Sequence, residues 1–219
     1  MFIGHFAPAL IVATHPQAPR LGMLFAAAQL VDIAFATLLF SGTEAMRVVP
    51  RFTAMNPMDL HHMPITHSLL GTTVWGLGFG SIVGAMLRSW QGGLIAGLVV
   101  VSHWFTDWLV HAPDLTLWGS EPKLGLGLWN HPAIAMPLEL ALIGGAFWWL
   151  ARARGGMTGR LWALLALLLT LQAVNWFGPQ DSEYSAAIPA TMLAAFAVLI
   201  LAAIWADPRP RAAPEELTP

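Results

Sequence analysis

The sequence has no cysteine, so neither a disulfide nor a thiolate metal site is available to it. Any metal it binds must be held by His, Asp, Glu, backbone or water. Charge is scarce: 10% of the 219 residues are charged, against about 25% in a soluble domain. A formal net charge of −2, with no basic patch beyond short loops, excludes nucleic acid as a partner. Met1 to Thr14 is apolar but lacks the positive n-region of a cleaved signal peptide, so it is expected to be retained. No repeat of fixed period stands out. Gly76, Gly78, Gly80 and Gly84 follow no strand, which argues against a nucleotide-binding loop; small residues four apart suit close helix contact instead.

What is present is apolar. The chain is 57% hydrophobic and carries 11 Trp, which suit interfacial belts. These features predict an all-α fold, a polytopic transmembrane bundle. Apolar runs place about seven helices, at Phe2–Thr14, Leu21–Phe40, His67–Leu87, Gly92–Val110, Ala133–Ala151, Arg160–Phe177 and Ala186–Ala206. The first is short and interrupted by Pro8, so a tilted or partial span is expected there. Residues 1–206 read as one transmembrane domain. Residues 207–219, with four Pro and five charges, read as a disordered cytoplasmic tail.

If all seven runs cross, one side receives Arg20, Arg88, Arg152, Arg154, Arg160, Arg209 and Arg211, and the other Arg47, Arg51 and Lys123. Seven against three makes the first side cytoplasmic, with the N-terminus outside and the C-terminus inside. The two long connections, 41–66 and 111–132, are then external and could form a lid or simply pack as surface loops.

The polar residues within these runs share a depth. Ser102-His103-Trp104-Phe105-Thr106-Asp107-Trp108-Leu109-Val110-His111 stacks His103, Asp107 and His111 on one helix face. His103 and Asp107 are about 6 Å apart along the axis, close enough to share an ion, whereas His111 stands about 12 Å from His103. His111 is therefore a supporting contact, a second site or an outer wall. His5, Asp32, His67, Glu139 and Asn175 all fall toward the same outer end, and no run has an Asp, Glu or His in its inner half. A His103–Asp107 pair that merely stabilises packing is the plain alternative; the one-sided pattern favours a single polar cavity.

Gly4-His5, Asp32 in the second run, Ile65-Thr66-His67-Ser68-Leu69-Leu70 and Ser102-His103 with Asp107 occur in this order. Together they resemble the YdjM-like family of inner-membrane-associated metal-dependent hydrolases. The resemblance covers roughly the first half of the chain. The family pattern has Arg and Gly where His62-Met63-Pro64-Ile65-Thr66-His67-Ser68 has Met63 and Pro64, and often two Asp where Val31-Asp32-Ile33-Ala34 has one. Loss of the Arg removes a natural bidentate phosphate partner. The resemblance implies a divergent member in a bacterial inner membrane.

In a metal reading His5, His67 and His103 offer imidazoles, and Asp32 and Asp107 offer carboxylates, a set suited to zinc, with manganese as the alternative. Glu139 is either a catalytic general base or a protonated helix-packing acid. His62, His111, Asp114 and Lys123 are placed behind the ligands or along the outer wall. His15 and His131, each before Pro, receive no chemistry. The expected function is a metal-dependent hydrolase acting on an ester, phosphoester or amide of an amphiphilic or lipid-linked substrate, in contact with membrane lipid. A small transporter or proton relay through the same Asp/His chain is the alternative, and a non-catalytic scaffold the third reading.

Overall fold

The computed structural model describes residues 1–207. Among them are seven α-helices: α1 (Phe6–Val12), α2 (Leu21–Ser41), α3 (Leu69–Leu87), α4 (Trp90–Val110), α5 (Pro132–Arg154), α6 (Gly159–Phe177) and α7 (Ala187–Ala206). The last six are long and apolar enough to span a membrane. Most of the tail expected to be disordered lies outside the described residues. Asp207 does not: its carboxylate accepts the Leu21 amide at 2.9 Å and closes the start of α2.

Local chemistry sets the other ends. Ser68, Ser89 and Thr158 accept amides from the first turns of α3, α4 and α6. Pro132 opens α5, and Gly42 and Gly155 end α2 and α5 in the left-handed region. The third run thus begins at Leu69 rather than His67, because the Ser68 side chain caps the helix and leaves His67 in the approach to it.

A short 3-10 turn, Ile3–His5, leads into α1. The seven residues of α1 rise only about 10 Å. That is far less than the roughly 30 Å of a hydrocarbon core, so α1 is a half-length helix. Met1 lies buried inside the bundle, not beyond its outer face. The C-terminal end of α1 is anchored by Arg154, whose Nη2 donates to Ala13 O at 2.6 Å.

The two long connections are not plain loops. Ala45–Val48 (β1) pairs antiparallel with Met58–His62 (β2), and Leu115–Thr116 (β3) with Lys123–Leu124 (β4). A bridge between Ser68 and Thr116, and a bond from Leu70 N to Leu117 O at 2.9 Å, tie the second hairpin to the start of α3. Phe35, Leu39, Met46, Leu60, Met63, Trp104 and Leu115 form an apolar cluster under these hairpins. A larger core fills the rest of the bundle.

Helices α3 and α4 are the closest pair. A Cβ on Gly80 would stand 2.7 Å from Gly93 O, and one on Gly93 would stand 2.4 Å from Gly80 O. The glycines permit backbone-to-backbone contact that no larger residue allows. The outward faces carry Leu77, Leu98, Trp148, Val174 and Leu201, exposed apolar side chains suited to lipid.

Candidate metal centre

Four imidazoles and two carboxylates meet at the end of the bundle that carries the hairpins. Asp107 is at the centre. Its Oδ1 lies 3.0 Å from His5 Nε2 and 3.3 Å from His111 Nε2; its Oδ2 lies 3.0 Å from His103 Nε2 and 3.7 Å from His67 Nε2. Asp32 Oδ1 lies 3.4 Å from His67 Nε2 and 3.6 Å from His103 Nε2. The Met1 α-ammonium donates to Asp107 Oδ1 at 2.6 Å. All four histidines and Asp107 are buried, whereas the Asp32 side chain keeps 17% exposure.

The far sides of the rings settle which nitrogen carries hydrogen. His103 Nδ1 donates to Ala28 O at 2.9 Å, and His111 Nδ1 to Asp114 Oδ1 at 2.9 Å. His67 Nδ1 meets Thr66 Oγ1 at 2.8 Å, and that hydroxyl donates to Glu44 Oε2 at 2.6 Å, so the oxygen accepts from the ring. His5 Nδ1 meets Thr106 Oγ1 at 2.7 Å, and that hydroxyl donates to the His103 carbonyl at 2.8 Å, so it too accepts. Every Nδ1 is therefore a donor, and every Nε2 turns toward carboxylate oxygen.

Such an arrangement needs positive charge between nitrogen and oxygen, supplied by a proton or a metal ion. The Nε2 atoms of His5 and His103 both approach Asp107 at 3.0 Å, yet both are buried without a hydrogen bond. Imidazoles with Nδ1 tied to an oxygen and Nε2 free are the usual form of metal-ligating histidine. His5, His103 and Asp107 form one group able to hold an ion, and Asp32, His67 and His103 another. The chain is a multi-pass helical membrane protein with a buried His/Asp cluster able to bind a metal. No protein-family model, curated protein or solved structure matches it.

His111 lies one residue beyond α4. Burial alone would lower its imidazole, but the carboxylates of Asp107 and Asp114 outweigh burial and hold it up to about 9. A metal bound at His111 would have to displace that proton.

The other residues singled out from sequence fall in different places. Glu139 is buried, but its Oε1 accepts the amides of Phe2 at 2.7 Å and Gly4 at 3.1 Å, and its Oε2 accepts from Gln172 Nε2 at 3.3 Å. Gln172 Oε1 in turn accepts the Ile3 amide at 3.2 Å. These contacts fix the segment that carries His5. Asp114 stands behind His111, and Trp129 packs on the His111 ring at 4.2 Å between centroids. His62 is exposed on β2, and Lys123 Nζ donates to the His61 carbonyl at 3.0 Å in the hairpin layer.

Sequence reasoning missed Glu44, Thr106 and Gln29. Thr106 precedes Asp107 directly, and Thr66 precedes His67; a hydroxyl beside each motif residue was the available signal. Glu44 sits in the turn between α2 and β1, where nothing in the pattern marks it. Gln29 is fully buried on α2, three residues before Asp32, with neither amide atom hydrogen-bonded.

Proposed function

We propose that the protein is a membrane-embedded metal-dependent hydrolase that cleaves an ester, phosphoester or amide of an amphiphilic or lipid-linked substrate. One observation carries this reading: four imidazoles, each anchored through Nδ1, present Nε2 to two carboxylates in a buried site. The donor set, nitrogen and carboxylate without sulfur, suits zinc, and manganese is the second choice. A bound ion of this kind supplies an activated water and polarises the scissile group. The chain's own residues do the rest. Ala28, Thr66, Thr106 and Asp114 hold the imidazoles in the ligating tautomer. Glu139 and Gln172 hold residues 2–4 so that His5 reaches Asp107; these contacts support the packing role for Glu139 over the general base.

Asp32 gives the substrate class its support. It lies mid-way along a membrane-spanning helix and keeps 17% side-chain exposure, against 2% for Asp107. This reading takes that exposure as the edge of the site in the wall of the bundle, where an amphiphile would approach from lipid. The resemblance to YdjM-like inner-membrane hydrolases supports this reading and a bacterial inner membrane. The basic asymmetry supports an outer face at the hairpin end.

A proton relay through the same groups has one observation in its favour, the unpartnered amide of buried Gln29 next along α2. Metal content separates the two. Detergent-purified, tag-free protein should carry near-stoichiometric zinc or manganese by elemental analysis. The metal should fall sharply in His103→Ala and Asp107→Ala and persist in His131→Ala. Chelator should lower the melting temperature of the wild type and leave the first two variants nearly unchanged. Wild type without metal, not stabilised by added divalent ions and indifferent to chelator, sinks the hydrolase reading in favour of the relay.

A further inference from the structure

We propose that the cluster holds two divalent ions, bridged by the two oxygens of Asp107. This rests on the metal-binding reading above and goes further, to the number of ions and the way the donors divide between them.

The first observation is the division itself. His5 and His111 face Asp107 Oδ1, whereas His103 and His67 face Oδ2. Asp32 joins only the second pair, at 3.4 Å from His67 and 3.6 Å from His103. One side therefore has three protein donors: His5, His111 and Asp107. The other has four: His67, His103, Asp32 and Asp107. A four-donor set closes a tetrahedral ion, and a three-donor set keeps a position for water or substrate.

The second observation concerns the central pair: His5 and His103 stand close enough to share an ion with Asp107, but the orientation of their rings favours separate ions. The rings of His5 and His103 are stacked, with centroids 3.8 Å apart and planes 5° from parallel. An imidazole binds a metal along its nitrogen lone pair, which lies in the ring plane. Nearly parallel planes that far apart do not meet near the rings, so no one point there is in the plane of both. An ion set between them would stand well out of each plane. Two ions, one per plane, are each approached in plane. Their separation then follows the ring stacking, and 3.8 Å falls within the roughly 3.5–4 Å spacing of two-metal centres.

The experiment is a metal titration of tag-free, chelator-stripped protein in detergent, with Zn2+ followed by calorimetry and Mn2+ by electron paramagnetic resonance. The wild type should take up two equivalents of either ion per chain, and the Mn2+-loaded protein should show the signal of an exchange-coupled pair. His111→Ala should retain one equivalent and lose the coupling. Asp32→Asn, which weakens the opposite side, should keep two equivalents with one bound at least tenfold more weakly. Saturation of the wild type at one equivalent, with an uncoupled Mn2+ signal, overturns the two-ion centre and leaves the metal-dependent reading standing. No uptake of either ion overturns both. The wild-type stoichiometry decides the matter even if a variant fails to fold.

Discussion

Replacing Glu44 with glutamine should weaken metal binding although Glu44 touches no metal position. The buried carboxylate accepts the Ile65 amide at 2.7 Å and the Thr66 amide at 2.9 Å on Oε1, and the Thr66 hydroxyl at 2.6 Å on Oε2. In Glu44→Gln the two amides dictate the orientation of the new side chain. Its carbonyl must take the Oε1 position, because an NH2 there would leave buried N–H donors unsatisfied at about 1–3 kcal/mol each. The NH2 then faces Thr66 Oγ1 and donates to it. The Thr66 hydrogen has lost its acceptor, and His67 Nδ1 is the group it can reach, 2.8 Å from the oxygen. If Nδ1 accepts, the neutral ring must carry its hydrogen on Nε2, the atom aimed at Asp32 and Asp107. If the ring keeps its hydrogen on Nδ1, the threonine hydrogen is left buried without a partner. Either outcome penalises the ligating form of His67. Loss of such outer partners costs roughly 10–100-fold in metal affinity, about 1.4–2.7 kcal/mol. The assay is competition with a chromophoric chelator, together with nitrogen-15 spectra of histidine-labelled protein to read the tautomer. The stabilisation conferred by saturating metal should shrink by the same about 1.4–2.7 kcal/mol. A folded Glu44→Gln protein with unchanged affinity and His67 still protonated on Nδ1 would falsify this role of the Glu44–Thr66–His67 contacts.

Three further outcomes are expected. Gly93→Ala should destabilise the α3–α4 pair by about 1–3 kcal/mol, measured by denaturant in mixed micelles, since its Cβ would sit 2.4 Å from Gly80 O; a change below about 0.3 kcal/mol contradicts the backbone contact. Glu139→Ala should strand the Phe2 and Gly4 amides and loosen His5, so metal affinity and melting temperature should fall together; a fall in hydrolysis alone would instead favour the general base. Reporter fusions after Arg88 and Arg154 should read cytoplasmic and one near Pro122 external; reversed signals would place the site at the cytoplasmic face.

The spans were legible because apolar length is a direct consequence of bilayer thickness, and all six long helices fall within three residues of their apolar runs at both ends. The shared depth of His5, Asp32, His67 and His103 with Asp107 was legible for a similar reason: axial rise converts position into height. His111 shows the limit of that arithmetic. Its backbone stands about two turns above His103, yet both rings reach Asp107 because it lies between them, and they take different oxygens. The hairpins were not legible. β1 and β2 are four and five residues long, and Pro50, Asn56 and Pro57 between them read as loop breakers. Nor was the partner of Glu139, since a carboxylate that accepts amides from residues 135 or more positions away leaves no trace in local pattern.

The way residues 2–4 are held has a consequence for biogenesis. His5 leaves the ribosome long before the groups that seat its segment, Glu139 on α5 and Gln172 on α6. Until α5 and α6 are inserted, residues 2–4 lack these anchors, while Asp32, His67, His103, Asp107 and His111 are already made. The seat of His5 is thus completed backwards, across more than half the length of the sequence, after the other donors of the cluster have been made.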